Sequence, residues 1–315
     1  MTIQDSILDG LNDPQREAVQ HVDGPLLVVA GAGSGKTRVI TRRVGYLVAS
    51  GIDPRNILAI TFTNKAAGEM RERVEEMGIP YGATVCTFHA LCARLLREFA
   101  PYANLQQNYT IYDRNDQLKA AKTAIAALNL TGGYITPGKA HSAISNAKNA
   151  LQTARSYAEN ATDFYSRNIA EIYLRYEQIL TKNNALDFDD LLLRIAFLLR
   201  DHGDIRSALS NRYRYLLVDE YQDTNHAQYL ISQAIASSHD NYCATGDPDQ
   251  SIYAWRGADI RNILDFEKDF PNAKTVLLEE NYRSVQPILT CASNLIANNA
   301  SRKDKRLFTT REGGE

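Results

Sequence analysis

The chain has 315 residues, 44% hydrophobic and 23% charged, the makeup of an ordinary soluble protein of about two domains. A net charge of −2 excludes a polycation that coats nucleic acid over its whole surface, but not a local basic patch. No apolar run approaches the ~20 residues of a membrane span, Met1–Gly10 is acidic and lacks a signal-peptide core, and the cysteines (Cys86, Cys92, Cys243, Cys291) contain no C-x-x-C pair. That spacing argues against a zinc site and for reduced thiols in a cytosol.

Asp13-Pro14-Gln15-Arg16-Glu17 opens the first helix: an N-cap at Asp13, Pro in the first turn and an acid in that turn. Leu26-Leu27-Val28-Val29 reads as a strand, followed by Ala30-Gly31-Ala32-Gly33-Ser34-Gly35-Lys36-Thr37 and a helix-compatible run from Arg38. Strand, small-residue loop and helix make a phosphate cradle, with the backbone N–H groups of Ala32, Gly33, Ser34 and Gly35 facing the anion. Lys36 would reach the β- and γ-phosphates, and Thr37 would hold Mg²⁺. A chance Gly-Lys-Thr in a Gly-rich turn is the plainer reading, and the flanking strand and helix weigh against it. Ala30 stands where the general pattern asks for Gly, at the start of the loop rather than on the phosphates.

The run Ile57-Leu58-Ala59-Ile60-Thr61-Phe62 is apolar on both faces, as in a buried parallel strand. A helix from Lys65 to Met77, a short strand Thr84-Val85-Cys86-Thr87 and a helix from His89 to Phe99 follow. This alternation predicts a doubly wound α/β sheet. From Asp113 to about Asn184 it stops. Asp113 caps a helix with Leu118, Ala121, Ile125 and Leu128; Thr136-Pro137 starts a second with Ile144, Ala147 and Leu151; a third carries Tyr165, Ile169, Tyr173, Tyr176 and Leu180 at helical spacing. Those tyrosines read as core rather than as a base-stacking platform. Residues 114–184 hold nine Lys/Arg against five Asp/Glu, which fits a basic patch or an ordinary solvated face. Alternation resumes at Tyr215–Asp219, Tyr242–Gly246 and Thr275–Leu278.

A phosphate loop alone does not name a reaction. Leu216-Leu217-Val218-Asp219-Glu220 adds an acidic pair at a strand end. Asp219 can position Mg²⁺ through its water shell, and Glu220 is placed to polarise the water that attacks the γ-phosphate. Alone, the pair reads equally well as a helix N-cap; the loop upstream favours catalysis.

Further blocks complete the series. They are Thr61-Phe62-Thr63-Asn64-Lys65-Ala66-Ala67, Thr87-Phe88-His89, Tyr221-Gln222-Asp223-Thr224, Gly246-Asp247-Pro248-Asp249-Gln250-Ser251-Ile252-Tyr253-Ala254-Trp255-Arg256-Gly257 and Glu280-Asn281-Tyr282-Arg283-Ser284. In this order, from Asn12 to Ser284, they resemble the motifs of the superfamily 1A DNA helicases, the UvrD/Rep/PcrA group. The resemblance implies a RecA-like P-loop core domain over 1–112 and 185–276, an all-α insertion over 113–184, and the truncated start of a second motor domain over 277–315. It implies an ATP- and Mg²⁺-dependent 3′→5′ DNA helicase of the cytoplasm. Its partners would be single strands and single/double-strand junctions, with no membrane.

In the same resemblance Gln15 reads adenine with Arg38 nearby, and Tyr282 stacks on the base. Arg283 is an arginine finger. Gln250 senses the γ-phosphate and links it to DNA. Phe62 and Asn64, then Thr87 and His89, then Phe188 in Leu186-Asp187-Phe188-Asp189-Asp190 contact the single strand. Tyr253 and Trp255 stack on bases, each contact worth ~1–3 kcal/mol, and Arg256 stacks or pairs with phosphate. Without the resemblance Gln15 would be a solvated first-turn residue, Phe62 and Phe188 core, and His89 a helix cap. The lone Trp255 beside Arg256 in a Gly-bounded loop is harder to place in a core. Ala254 replaces a more usual glycine, and a small residue still fits. Arg302-Lys303-Asp304-Lys305-Arg306 reads as a solvated connection. Family members are longer and hydrolyse ATP between two motor domains, so this chain by itself is expected to bind nucleotide and single strands weakly and to hydrolyse ATP poorly. Two other readings stand beside this one. The first is a non-catalytic nucleotide- or DNA-binding module, against which Lys36, Asp219, Glu220 and Arg283 speak. The second is the motor part of a helicase–nuclease.

Overall fold

The computed structural model describes residues 2–79, 81–130, 134–299 and 302–313. In chain order the strands are β1 (Leu26–Ala30), β2 (Ile57–Thr61), β3 (Thr84–Thr87), β4 (Thr110–Ile111), β5 (Ala185–Leu186), β6 (Tyr215–Val218), β7 (Tyr242–Gly246) and β8 (Lys274–Leu278). Six of them form one parallel sheet in the order β3-β2-β6-β7-β1-β8, and β4 pairs only with β5. The four inner strands are buried along their whole length, while the edge strands β3 and β8 are not. Apolar side chains on both faces suit a sheet covered by helices on both sides. This is the α/β architecture read from the sequence, with strand ends shifted by a residue.

The chain gathers into two compact units, one of Met1–Thr87, Asp204–Thr224 and Ser232–Glu315, the other of Phe88–Gly203 and Asn225–Ile231. The first holds the six-stranded sheet. Its core packs Val28, Ile40, Leu47, Ala59, Met70 and Leu217. All six strands run the same way, so their C-terminal ends share one edge, where parallel sheets bind ligands. That edge receives the loop after β1, Asp219 after β6, Asp247 after β7 and Phe62 after β2.

The first sheet-covering helix, Asp13–Gln20, is capped by Asn12 rather than Asp13. The Asn12 side chain accepts the Gln15 N–H at 2.9 Å and the Gln15 carboxamide accepts the Asn12 N–H at 3.2 Å. This reciprocal box satisfies two helix-end donors, which a cap at Asp13 would not do.

The second unit contains the helical segment 113–184, with helices Arg114–Ala127, Pro137–Asn149, Ala154–Asn160 and Phe164–Lys182. Asp113 and Thr136 cap as the sequence indicates. Tyr173 and Tyr176 are each 1% exposed, so the tyrosine stripe is core. Lys148 is buried with them. Its ammonium lies 2.8 Å from Asp187, 2.7 Å from Asp190 and 2.7 Å from Glu177, and the Tyr176 hydroxyl donates to Asp187 at 3.0 Å. Burial alone would push the Lys148 ammonium down; the three carboxylates outweigh it and hold it well above the usual lysine range. Asp187 also caps the next helix, Phe188–Asp201.

Candidate active site

The phosphate loop is shaped by left-handed backbone at Gly33 (φ +70°) and Gly35 (φ +90°), which side chains disfavour. The helix Lys36–Ala49 opens on Gly35 with no side-chain cap, so its first-turn N–H groups face an incoming acceptor. Ala30 is the last residue of β1, buried and in register with Leu278, so the departure from Gly falls in the strand. The Ser34 hydroxyl donates to the Gly31 carbonyl at 2.7 Å and closes the loop. Gln15 is 1% exposed and donates from Nε2 to the Ser34 carbonyl at 2.9 Å. With its oxygen engaged by Asn12, this carboxamide braces the loop from below. Arg38 is exposed on the helix's first turn, and its Cβ and the Gln15 amide both border Gly35.

Glu220 is held from two sides. Lys36 Nζ lies 2.9 Å from its Oε2, and Gln222 Nε2 donates to the same oxygen at 2.9 Å. Its backbone is left-handed, φ +51°, a conformation that costs a non-glycine residue about 1–3 kcal/mol and that clusters at working sites. Gln222 continues the chain of contacts: its Oε1 accepts the Asp247 N–H at 3.0 Å, tying the loop after β6 to the loop after β7. The sequence alone assigns Gln222 no role; its place two residues past Glu220 was the available signal.

Asp219 is buried, and burial, then the Glu220 charge, pushes its carboxyl up to about 7. The same causes push Asp223 up to about 6. A buried carboxylate and the Thr37 hydroxyl are hard oxygen donors of the kind Mg²⁺ takes, and a cation there would return Asp219 to its charged form. Among the described residues no three His, Cys, Asp or Glu cluster as a metal cage.

Gly246 ends β7 directly above Gln222. A Cβ there would lie 2.4 Å from Gln222 Oε1 and 3.2 Å from the Tyr221 nitrogen. Gly246→Ala is therefore expected to destabilise the protein by about 1–3 kcal/mol and to slow ATP turnover by displacing Gln222. Calorimetry alongside an ATPase assay checks this; an unchanged melting temperature would mean that Gln222 has room to move.

Gln250 closes the short turn Pro248–Gln250 and donates to Asp247 Oδ2. The block Glu280–Ser284 sits on the phosphate loop. Asn281 Nδ2 donates to the Ala32 carbonyl at 2.5 Å, and the Tyr282 N–H donates to the Gly33 carbonyl at 3.0 Å. Asn281 Oδ1 accepts the N–H groups of Arg283 and Ser284 at 2.8 and 2.7 Å. The Tyr282 hydroxyl donates to Glu280 at 2.7 Å and accepts from Asn12 at 2.8 Å; burial and Glu280 push it up to about 12. Arg283 is exposed, its Cβ 2.7 Å from where a Cβ on Gly33 would be. Asn281 is a second residue to which sequence reading gave no role.

Along the same sheet edge the aromatic side chains form a ladder. Phe62 stacks on Tyr253 with ring centroids 4.9 Å apart, and Trp255 follows at 6.4 Å from Tyr253. The Arg256 guanidinium lies over Trp255 at 4.5 Å and over Tyr253 at 5.4 Å. Trp255 is 70% exposed. Asn64 is exposed at the start of its helix, and Thr87 is buried at the end of β3. In the second unit His89 meets Phe188 edge to face at 6.0 Å. Phe188 is 47% exposed and so is not core, and His89 lies within its helix rather than capping it. Burial lowers the His89 pKa.

The segment 302–306 is not the solvated connection its charge indicates. The Lys305 side chain is 3% exposed and pairs with Asp247 at 2.6 Å and Asp249 at 2.5 Å; Arg302 lies 3.4 Å from Asp249 and Lys303 2.6 Å from Glu267. The acids of the loop after β7 draw these cations in.

Residues 11–271 match the model of the UvrD/REP helicase N-terminal domain. The chain is 45% identical over 313 residues to the ATP-dependent DNA helicase PcrA of Staphylococcus aureus (strain NCTC 8325 / PS 47) and to that of Staphylococcus epidermidis (strain ATCC 12228 / FDA PCI 1200). The aligned region is 98% of this chain and 43% of each relative, so the chain spans less than half the length of the curated relatives it matches.

Proposed function

Since the chain belongs to the UvrD/REP helicase N-terminal domain family, we propose that it is the ATP-binding motor domain of a 3′→5′ DNA helicase and translocase. One observation carries this reading. The phosphate loop, Glu220 and the Phe62–Tyr253–Trp255–Arg256 ladder all stand at the C-terminal edge of a single parallel sheet. A small-molecule NTPase has no use for an exposed aromatic ladder beside its phosphate site.

ATP would lie on Ala32–Thr37 with its base toward Gln15, Arg38 and Tyr282. Mg²⁺ held by Thr37 and Asp219 would neutralise charge on the β- and γ-phosphates. Lys36 exchanges Glu220 for the phosphates, which leaves Glu220 free to take the proton of the attacking water. Arg283 offsets charge on the transferred group. Gln250 lies three residues before Tyr253, so its response to the γ-phosphate reaches the ladder through one short segment. Asn64 and Thr87 in the first unit would also contact the strand, as would His89 and Phe188 in the second. Residues 277–315 would begin a second motor domain, whose approach and retreat turn hydrolysis into steps toward a single/double-strand junction. Gly314 and Glu315, at the end of that segment, lie outside the described residues. No described helix is long and apolar enough to cross a membrane; the cytoplasm is the proposed compartment.

Trp255→Ala is expected to weaken single-strand binding by about 1–3 kcal/mol and to leave nucleotide affinity unchanged. Anisotropy of a labelled oligothymidine, with a fluorescent ADP titration as control, measures both. Unchanged DNA affinity would remove the ladder from the mechanism.

A further inference from the structure

We propose that Lys305 is a positioning residue for Gln250, acting through Asp247. The inference rests on the reading of Gln250 as the group that senses the γ-phosphate, and Lys305 lies outside the family match at residues 11–271. Asp247 is the junction. Its Oδ1 faces Lys305 Nζ at 2.6 Å, its Oδ2 takes the Gln250 amide, and its N–H goes to Gln222, which holds Glu220. Together with the Asp249 N–H, which donates to the same Oδ1 at 3.0 Å, the lysine holds the carboxylate that holds Gln250, within the network of the proposed catalytic acid.

Charge and burial make the lysine necessary. The side chains of Asp247 and Asp249 are 3% and 10% exposed. Two such carboxylates on one short turn repel each other unless cations sit among them. Lys305 reaches both, and Arg302 balances the second charge. The lysine is also not on a loose end. A Cβ on Gly31 would lie 2.3 Å from the Leu307 side chain, so Leu307 packs directly on the phosphate loop. The Phe308 N–H donates to the Glu279 carbonyl at 3.1 Å, and the Asn281 N–H donates to the Phe308 carbonyl at 2.8 Å. These contacts fix the register that brings Lys305 to Asp247. Without the ammonium, Asp247 would turn away from its repelling neighbour and take Gln250 with it.

The test compares nucleotides with and without a γ-phosphate. The affinities of fluorescent ADP and of a non-hydrolysable ATP analogue are measured for Lys305→Met, Gln250→Ala, the double variant and Asp249→Asn, each with a melting curve. Lys305→Met is expected to lose about tenfold of the preference for the triphosphate, with ADP binding within about threefold of wild type. The double variant should be no worse than Gln250→Ala, because both changes remove the same contact. Asp249→Asn, which keeps the Lys305–Asp247 pair, should retain the preference. If Lys305→Met does not fold, Lys305→Gln carries the same prediction at smaller amplitude. The proposal is overturned if the lysine variants discriminate as wild type does, if the losses multiply in the double variant, or if Asp249→Asn loses the preference equally. If Gln250→Ala itself discriminates normally, the reading of Gln250 fails first.

Discussion

Glu220→Gln is expected to lower DNA-stimulated ATP turnover by about 10²–10⁴-fold, the usual contribution of a general base, while nucleotide still binds. The isosteric amide keeps an oxygen for Lys36 and for Gln222, which now meet at Glu220 Oε2 at 2.9 Å each. Local structure, including the left-handed backbone at position 220, therefore has its partners. What is lost is the capacity to accept a proton from water. Turnover measured on the complete protein, with a fluorescent nucleotide titration beside it, separates the two effects. A variant that hydrolyses normally, or one that no longer binds nucleotide, would take the catalytic role away from Glu220. Lys36→Met should behave differently, because the proposed role gives its ammonium to the phosphates as well as to Glu220, so binding and turnover should fall together.

The contrast between Glu220 and its supports shows what could be read before the fold. Positions that sequence pattern alone places were legible: Gly33 and Gly35 in the small-residue loop after an apolar strand, Lys36 at the start of the helix that follows, and Asp219 and Glu220 at the end of a later apolar run. The inner strands were legible because burial on both faces leaves continuous apolar runs. Sheet order was not, since β1 lies between β7 and β8 and sequence carries no sign of which distant strand pairs with which. Gln222 and Asn281 were opaque for another reason. A carboxamide suits a surface, a cap or a buried bridge equally well, and only the groups around it decide. The same holds for charge. Lys148 counted toward a basic balance in 114–184 and Lys305 toward a solvated connection, yet both are buried among carboxylates. Counting charges along a chain cannot see a partner tens of residues away.

Lys148→Met is expected to destabilise the helical unit by about 3–5 kcal/mol, the penalty for breaking a buried ion pair on one side. A single ammonium ties three helices: it sits on Pro137–Asn149, Glu177 on Phe164–Lys182, and Asp187 with Asp190 at the head of Phe188–Asp201. Even with the lysine present, burial and then the Asp187 charge push the Asp190 carboxyl up to about 7. Without it the acids face one another uncompensated, and the Asp190 carboxyl rises further above its value in the unfolded chain. An acid whose folded pKa is raised favours folding while it is protonated and loses that stability as pH rises through the folded value. The penalty in Lys148→Met should therefore shrink as pH falls from about 8 toward about 5. Replacing the charges as well, with Lys148→Met, Asp187→Asn and Asp190→Asn together, should recover much of the loss, since an uncompensated buried charge is more costly than a missing pair. Asn at 187 can still cap the helix that presents Phe188. Urea unfolding followed by near-ultraviolet circular dichroism, to which the buried Tyr173 and Tyr176 contribute, measures these changes. A single variant within about 1 kcal/mol of wild type at pH 8, or a triple variant no more stable than the single, would mean that hydrophobic packing rather than the ammonium holds the three helices together.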